Sequence, residues 1–285
     1  MMAIMLSSQA DGIRDPIMTD RLNDISDKTR AQTDMASDVK SDEIDFGFQS
    51  VPRDQKESLV KNVFNSVAKN YDIMNDLMSM GVHRLWKDAL MDWLAPQPNQ
   101  TLMDLAGGTG DVALRFLKRG GGNVHIVDIN EEMLQAGKAR AVMRPYQDRL
   151  SWIVGNAESL PLETASVDRA TIAFGLRNVT NRDVALSEIY RVLKPGGRFC
   201  CLEFSSVDNP LLSKIYDEWS FKILPKMGEL VAKDRDSYQY LVESIRQFPD
   251  QYELADMMVT AGFAQVRYRN LSGGIAAIHS GWKLD

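Results

Sequence analysis

Cysteine and histidine are scarce: of 285 residues, two are cysteine and three histidine. Cys200 and Cys201 are adjacent, so on a strand they point to opposite faces; a disulfide framework is excluded. His83, His125 and His279 are scattered, and no cysteine/histidine cluster has zinc spacing, so no metal is expected. The chain lacks the run of roughly 18 or more uncharged apolar residues that a membrane span needs. It also lacks a basic stripe. The formal net charge is −6, but residues 1–50 hold ten acidic and five basic side chains, and the rest sums to −1. So nearly neutral a body has no electrostatic footprint for nucleic acid. Internal repeats and low-complexity tracts are absent. The opening "MMAIMLSSQADGIRDP" has a short apolar run with no basic segment before it, and its aspartates argue against a transit peptide. A cytosolic or matrix-like compartment is the expectation.

With 44% hydrophobic and 25% charged residues, the chain suits a globular protein with one sizeable core or at most two domains. Residues 1–45 are polar and acidic, and read as a disordered or loosely attached arm. From about Asp54 a helical period appears in Val60, Val63, Phe64, Val67, Ala68 and Tyr71. "HRLWKDALMDWL" repeats it until "APQPN" breaks it. Residues 46–98 are therefore expected to form a helical cap, and residues 99–285 the main domain.

In that domain strands and helices alternate. "TLMDLA", "NVHIVDI", "LSWIVG", "VDRATIAF" and "RFCCLEF" read as strands; "GDVALRFLKRG", "EEMLQAGKARAVM" and "RDVALSEIYRVL" read as helices. Such alternation implies an α/β fold with a mostly parallel sheet covered on both faces. "ELADMMVTAGF" reads as a last helix. "AQVRYRNL" and "IAAIHSGW", separated by Gly273 and Gly274, read as an antiparallel hairpin finishing the sheet.

"MDLAGGTGDVALRFL" brings a strand into a glycine turn and then a helix. Ligands in open parallel sheets bind beyond the carboxyl ends of the strands. Gly107, Gly108 and Gly110 do not have the G-x-G-x-x-G spacing of a dinucleotide site, and no G-K-[ST] follows. Asp104 and Asp111 flank the turn; carboxylates there would repel a diphosphate and favour a cation. Asp128 ends the next strand, where a carboxylate can accept both hydroxyls of a ribose. Its alternative use is as a helix N-cap, which Asn130 could serve instead. Asn156, Ala157 and Glu158 follow the third strand and could flank a purine. S-adenosylmethionine has this chemistry: a cationic amino-acid end, a ribose, an adenine and no phosphate.

"DLAGGTGD", "VDIN", "NA" and "LKPGGRFCCLEF" together resemble a class I S-adenosylmethionine-dependent methyltransferase. "YDIMNDLMSMGVHRLWK", "FGLRNVTNRDVAL", "DSYQYLVESIRQFPDQ" and "NLSGGIAAIHSGWK" narrow the resemblance to the ubiquinone/menaquinone biosynthesis C-methyltransferase family, from about Phe46 to Lys283. It implies a Rossmann-like sheet with S-adenosylmethionine as donor and S-adenosylhomocysteine as product. The implied acceptor is a polyprenylated quinol, either 2-polyprenyl-6-methoxy-1,4-benzoquinol or demethylmenaquinol. Donor contacts are expected at Asp104, Gly107, Gly108, Thr109, Gly110, Asp128, Ile129, Asn156 and Ala157. Ala173 is expected at the donor site too; it stands where many relatives have serine, so a side-chain hydroxyl contact there would be absent.

A ring carbon becomes nucleophilic when a hydroxyl ortho or para to it loses its proton, and the carbon, methyl and sulfur must then be held in line. Arg177 and Asn178 of "GLRN" follow the fourth strand. Arg177 is expected to stabilise the phenolate or orient a water, unless it pairs structurally with Asp183 or Asp128. Asn178 would hold a ring oxygen. From the cap, Tyr71 is a candidate for catalysis and for binding a quinol oxygen. Asn75, Met78 and His83 are candidate substrate contacts. His83 is more simply a packed histidine, and Met74, Met78 and Met80 suit either an isoprenoid tail or a helix core. So apolar an acceptor implies peripheral contact with a membrane, on the inner-membrane surface, or with other quinone-biosynthesis proteins. The helices around Phe64 and between Leu211 and Leu230 are candidates for it. A homodimer is compatible with the sequence. Two other readings are an NAD-linked oxidoreductase, disfavoured by the glycine spacing, and a non-catalytic S-adenosylmethionine-binding scaffold, disfavoured by the intact "GLRN".

Overall fold

The structure, a computed structural model, describes residues 43–67, 79, 81–207 and 235–285. Strands β1 (Glu43–Phe46) and β2 (Gln49–Pro52) form an antiparallel hairpin, followed by helices α1 (Arg53–Val67) and α2 (His83–Leu94). Next come β3 (Leu102–Leu105), α3 (Asp111–Lys118), β4 (Val124–Asp128), α4 (Glu131–Ala139), β5 (Leu150–Val154) and β6 (Val167–Ala173). The chain continues with α5 (Arg182–Val192), β7 (Leu193–Phe204), α6 (Arg235–Arg246), α7 (Gln251–Thr260), β8 (Ala264–Leu271) and β9 (Ala276–Trp282).

The seven-stranded sheet has the order β5-β4-β3-β6-β7-β9-β8. Strands β3 to β7 pair in parallel, and β9 runs antiparallel to both β7 and β8. From β3 the chain builds outward to β5, then returns to place β6 on the other side of β3. That reversal opens a crevice at the carboxyl ends of β3 and β6.

Alternation along the strands feeds two cores. Leu102, Ile126, Cys200 and Leu202 pack on one face with Leu90, Phe116 and Leu241. Met103, Val127, Phe199 and Cys201 pack on the other with Leu186, Ile189 and Leu254. The two buried cysteines thus lie on opposite sides of the sheet, as their adjacency requires. Helix starts are fixed by side chains. Asn130 accepts from Met133 N–H and Asn181 from Val184 N–H, while Asp250 and Glu253 form a capping box on α7.

Three expectations change. The acidic arm does not extend to residue 45, because Glu43–Asp45 pair with Ser50–Pro52 in the hairpin. Gly47, at φ 59, makes its turn, and the Phe46 ring stacks on Tyr240 at 4.2 Å. Helix α4 stops at Ala139 rather than Met143. Arg140 is extended and donates to the carbonyl (2.9 Å) and hydroxyl (3.3 Å) of Thr109, and residues 141–149 continue as a 3₁₀ turn containing Pro145. The strand read as "RFCCLEF" starts earlier, at Leu193, with "KPGG" an excursion inside β7: pairing with β6 passes from Leu193 to Arg198. Gly196, at φ 76, donates to the Lys283 carbonyl at 2.7 Å there.

Candidate functional site

The carboxyl ends of β3 and β6 both leave their strands through left-handed residues, Ala106 at φ 51 and Phe174 at φ 58. Non-glycine residues in that region carry strain, and such strain clusters at functional sites. The two ends abut. A Cβ on Gly175 would lie 2.6 Å from the Ala106 Cβ, so only glycine fits there.

Above this junction lies an open cavity. One wall is made by the ends of β3, β4 and β5, with Gly108, Asp128, Ile129, Met133, Asn156 and Ala157. The other is made by the end of β6 and the turn after it, with Phe174, Asn178, Val179 and Thr180. Helix α1 covers it with Glu57, Val60 and Lys61.

Asp128 anchors the first wall. One carboxylate oxygen accepts from Gly108 N–H and the other from Asn130 N–H, both at 2.8 Å. Burial pushes its pKa up, while the N–H groups of Asn130, Gly108 and Ile129 hold it back. Each oxygen has a further lone pair, enough to accept ribose hydroxyls. Gly108 sits at φ 52, and a Cβ there would come 3.2 Å from Met133 Cε and 3.9 Å from the Asp128 carboxylate. The bare backbone at 108 keeps the space beside Asp128 open to a ligand.

Asn156 closes the cover. Its Nδ2 donates to Glu57 at 3.1 Å, and its Oδ1 accepts from Glu158 N–H at 2.8 Å. Glu57 is itself paired with Lys61 at 2.9 Å. A residue of α1 therefore bonds directly to the loop after β5, 99 positions away.

Of the expected donor contacts, Gly108, Asp128, Ile129, Asn156 and Ala157 line the cavity; Asp104, Gly107, Thr109, Gly110 and Ala173 do not. Asp104 lies beneath the turn, buried, accepting from Ala113 N–H at 3.2 Å and the Thr171 hydroxyl at 3.0 Å. Burial pushes its pKa up to about 7. Gly107 packs on Ile126 and Gly110 on Met143, and Thr109 is engaged by Arg140. Asp111 pairs with Lys87 at 2.9 Å and Arg115 at 3.4 Å. Burial alone would raise it, but Lys87 and then Arg115 draw it down to about 2. The two acids flanking the turn therefore serve α3 and the packing of α2, and the cavity's acids are Asp128, Glu57 and Glu158.

Arg177 is buried and also does not line the cavity. It pairs with Glu203, at 2.8 Å, and not with Asp183 or Asp128, and it donates to the Phe174 carbonyl at 2.6 Å. Asn178 does line the cavity, and its Oδ1 accepts from the Tyr240 hydroxyl at 3.1 Å. His83 is buried with Nδ1 3.0 Å from the Ser79 hydroxyl, as a packed histidine would be. Tyr71, Asn75, Met78, Met74, Met80 and the segment 211–230 lie outside the described residues.

The sequence reading missed Glu57, Lys61, Phe174 and Val179. Val60 carried a signal in the apolar stripe of α1, but nothing in the sequence pattern marked Glu57 or Lys61. Among the described residues no group of three or more histidine, cysteine, aspartate or glutamate side chains is placed to hold a metal.

A family model described as the ubiE/COQ5 methyltransferase family matches residues 52–283. The chain is 58% identical over 249 residues to the ubiquinone/menaquinone biosynthesis C-methyltransferase UbiE of Cereibacter sphaeroides, covering 87% of this chain and all of that one. It is 57% identical over 243 residues to UbiE of Brucella abortus, covering 84% and 90%. The solved SAM-dependent methyltransferase of Thermotoga maritima shares the fold, with a TM-score of 0.54 at 21% identity, covering 78% of this chain and 98% of that one. The sheet and a match spanning most of the length agree: this chain belongs to the ubiE/COQ5 methyltransferase family.

Proposed function

We propose that the protein is an S-adenosylmethionine-dependent C-methyltransferase. Its acceptor is a ring carbon of a polyprenylated quinol, 2-polyprenyl-6-methoxy-1,4-benzoquinol or demethylmenaquinol. The observation that carries this reading is the composition of the cavity. Asp128 and Asn156 form a polar wall for an adenosine, while Val60, Phe174 and Val179 form an apolar wall for a ring, with Asn178 as its polar group. The UbiE relatives, named for both quinone pathways, support the acceptor class.

When bound, the donor supplies an electrophilic methyl on a sulfonium. The chain's own residues do the rest. The Asp128 carboxylate holds the ribose hydroxyls and rejects a phosphate at the 2′ position. Loss of the acceptor's hydroxyl proton to water makes the ortho ring carbon nucleophilic, and Asn178 hydrogen-bonds the resulting phenolate oxygen; once the methyl has passed from sulfur to carbon, the ring regains its aromaticity by losing that carbon's C–H proton to water while the oxygen takes one back. Arg177 braces the turn that carries Asn178, because its bonds run to Glu203 and to the Phe174 carbonyl. Glu57 and Val60 cover the cavity, limit water and keep the reacting atoms close. Tyr71, Asn75, Met78 and His83 remain proposed acceptor contacts from the cap, residues 46–98, over the donor domain, residues 99–285.

The polyprenyl tail calls for peripheral contact with a membrane surface or with other quinone-biosynthesis proteins, on the cytoplasmic or matrix side of the inner membrane. Among the described residues no helix is long and apolar enough to cross a membrane. The test is methyl transfer by purified protein from S-adenosylmethionine to a short-chain demethylated quinol, with products identified by mass spectrometry. Transfer to ring carbon supports the reading. Tight S-adenosylhomocysteine binding without transfer would leave a donor-binding scaffold, and a change in nicotinamide absorbance would point to an oxidoreductase.

A further inference from the structure

Tyr240 is joined to two parts of the molecule outside its own helix, the N-terminal hairpin and the turn after β6. It lies on α6, buried, far along the chain from the crevice. Its ring stacks on Phe46 of the N-terminal hairpin, with centroids 4.2 Å apart and planes 20° apart. Its hydroxyl donates to Asn178 Oδ1 at 3.1 Å. Burial pushes its pKa up to about 12, so the hydroxyl stays a neutral donor at ordinary pH. Asn178 lines the cavity, and its Nδ2 has no partner among the described residues.

An amide side chain offers one acceptor and one donor end. A hydroxyl that claims the acceptor end fixes which end remains. We infer that Tyr240 is a positioning residue: it holds the Asn178 amide with its N–H₂ end free for the acceptor's ring oxygen, and the docked hairpin holds Tyr240. The hairpin takes part through the stacked ring and through Phe48 N–H, which donates to Glu243 of the same helix at 2.9 Å. Seating of the N-terminal hairpin is thereby linked to the geometry of a group in the crevice. This inference rests on the quinol reading of the site.

The test uses the full chain and three variants, Tyr240→Phe, Asn178→Asp and Asn178→Ala, plus the double variant Tyr240→Phe/Asn178→Ala. Tyr240→Phe keeps the stack and removes only the hydroxyl. It should lower kcat by about tenfold, the loss of one hydrogen bond. Calorimetry should show weaker binding of a short-chain quinol, with S-adenosylhomocysteine affinity unchanged and the melting temperature lowered by only a few degrees. Asn178→Asp keeps an acceptor for Tyr240 but offers no donor, and should lose turnover at least as fully as Asn178→Ala. The double variant should be no slower than Asn178→Ala. Wild-type kcat and quinol affinity in Tyr240→Phe, or losses that multiply in the double variant, would overturn the inference while leaving the quinol reading intact. A wild-type protein that transfers no methyl to either quinol would overturn both.

Discussion

Arg177 and Glu203 form an ion pair of 2.8 Å in which each side chain is 2% exposed. The pair joins the turn after β6 to the end of β7, and Glu203 also accepts from Arg177 N–H at 3.4 Å and Phe204 N–H at 2.9 Å. A charge so placed is costly to leave without its partner. Arg177→Ala is therefore expected to destabilise the protein by about 3–5 kcal/mol, and Arg177→Met with Glu203→Leu to recover much of that loss. Urea denaturation of the three proteins measures it. A loss under about 1 kcal/mol in Arg177→Ala would mean that the pair is not the brace described, and that lost turnover in that variant reports chemistry directly.

Asp128→Asn bears on the donor wall. An asparagine has one oxygen for the two N–H groups of Gly108 and Asn130, and it turns an N–H₂ toward the other. Affinity for S-adenosylhomocysteine should fall by about tenfold or more, since bonds to a charged acceptor contribute roughly 1.5–3 kcal/mol each. Isothermal calorimetry with circular dichroism as a folding control reads this. Unchanged affinity would remove Asp128 from the site.

Gly108→Ala tests the space above the turn. The left-handed backbone should cost about 1 kcal/mol. The flexible Met133 tip, 3.2 Å from the new methyl, can give way, so the protein should still fold. The methyl would nevertheless occupy the gap beside Asp128. Donor affinity should drop about tenfold for a melting-temperature loss of only a few degrees. Full donor binding in this variant would place the adenosine elsewhere.

Asp104 makes stability depend on pH. Its carboxyl is raised from an unfolded value of 3.8 to about 7 in the fold. A raised acid favours the folded state while protonated. Its contribution is complete below about pH 4, falls as pH rises to about 7, and is lowest above that. Asp104→Asn should remove this component. Its melting temperature relative to wild type should therefore rise between pH 5 and pH 8, and a difference that stays constant across that range would contradict the buried titration.

Much of the sheet could be read from the chain, because strands buried on both faces and helices with one apolar stripe leave different periods. The glycine turn was legible too, and with it Gly108, Asp128, Asn156 and Ala157 in the cavity wall. The bonds of Asp104 beneath the turn were not legible, because spacing does not say which face of β3 a residue takes, and a step of one residue reverses the answer. Glu203 could not be assigned to Arg177 without the positions of β6 and β7, since 26 residues separate the two. The hairpin at 43–52 was hidden by its shortness: four-residue strands with mostly exposed side chains carry no apolar alternation to detect. The end of α4 at Ala139 was set by Arg140 reaching Thr109, a contact between distant loops that local propensity does not record.

The abutment of Gly175 on Ala106 has a consequence for altering this protein. At that level the two halves of the crevice share a single layer of atoms, so reshaping one side displaces the other. Directed evolution toward a bulkier or smaller aromatic ring should find its tolerated changes higher up, around Val60 and Val179, and should leave position 175 untouched.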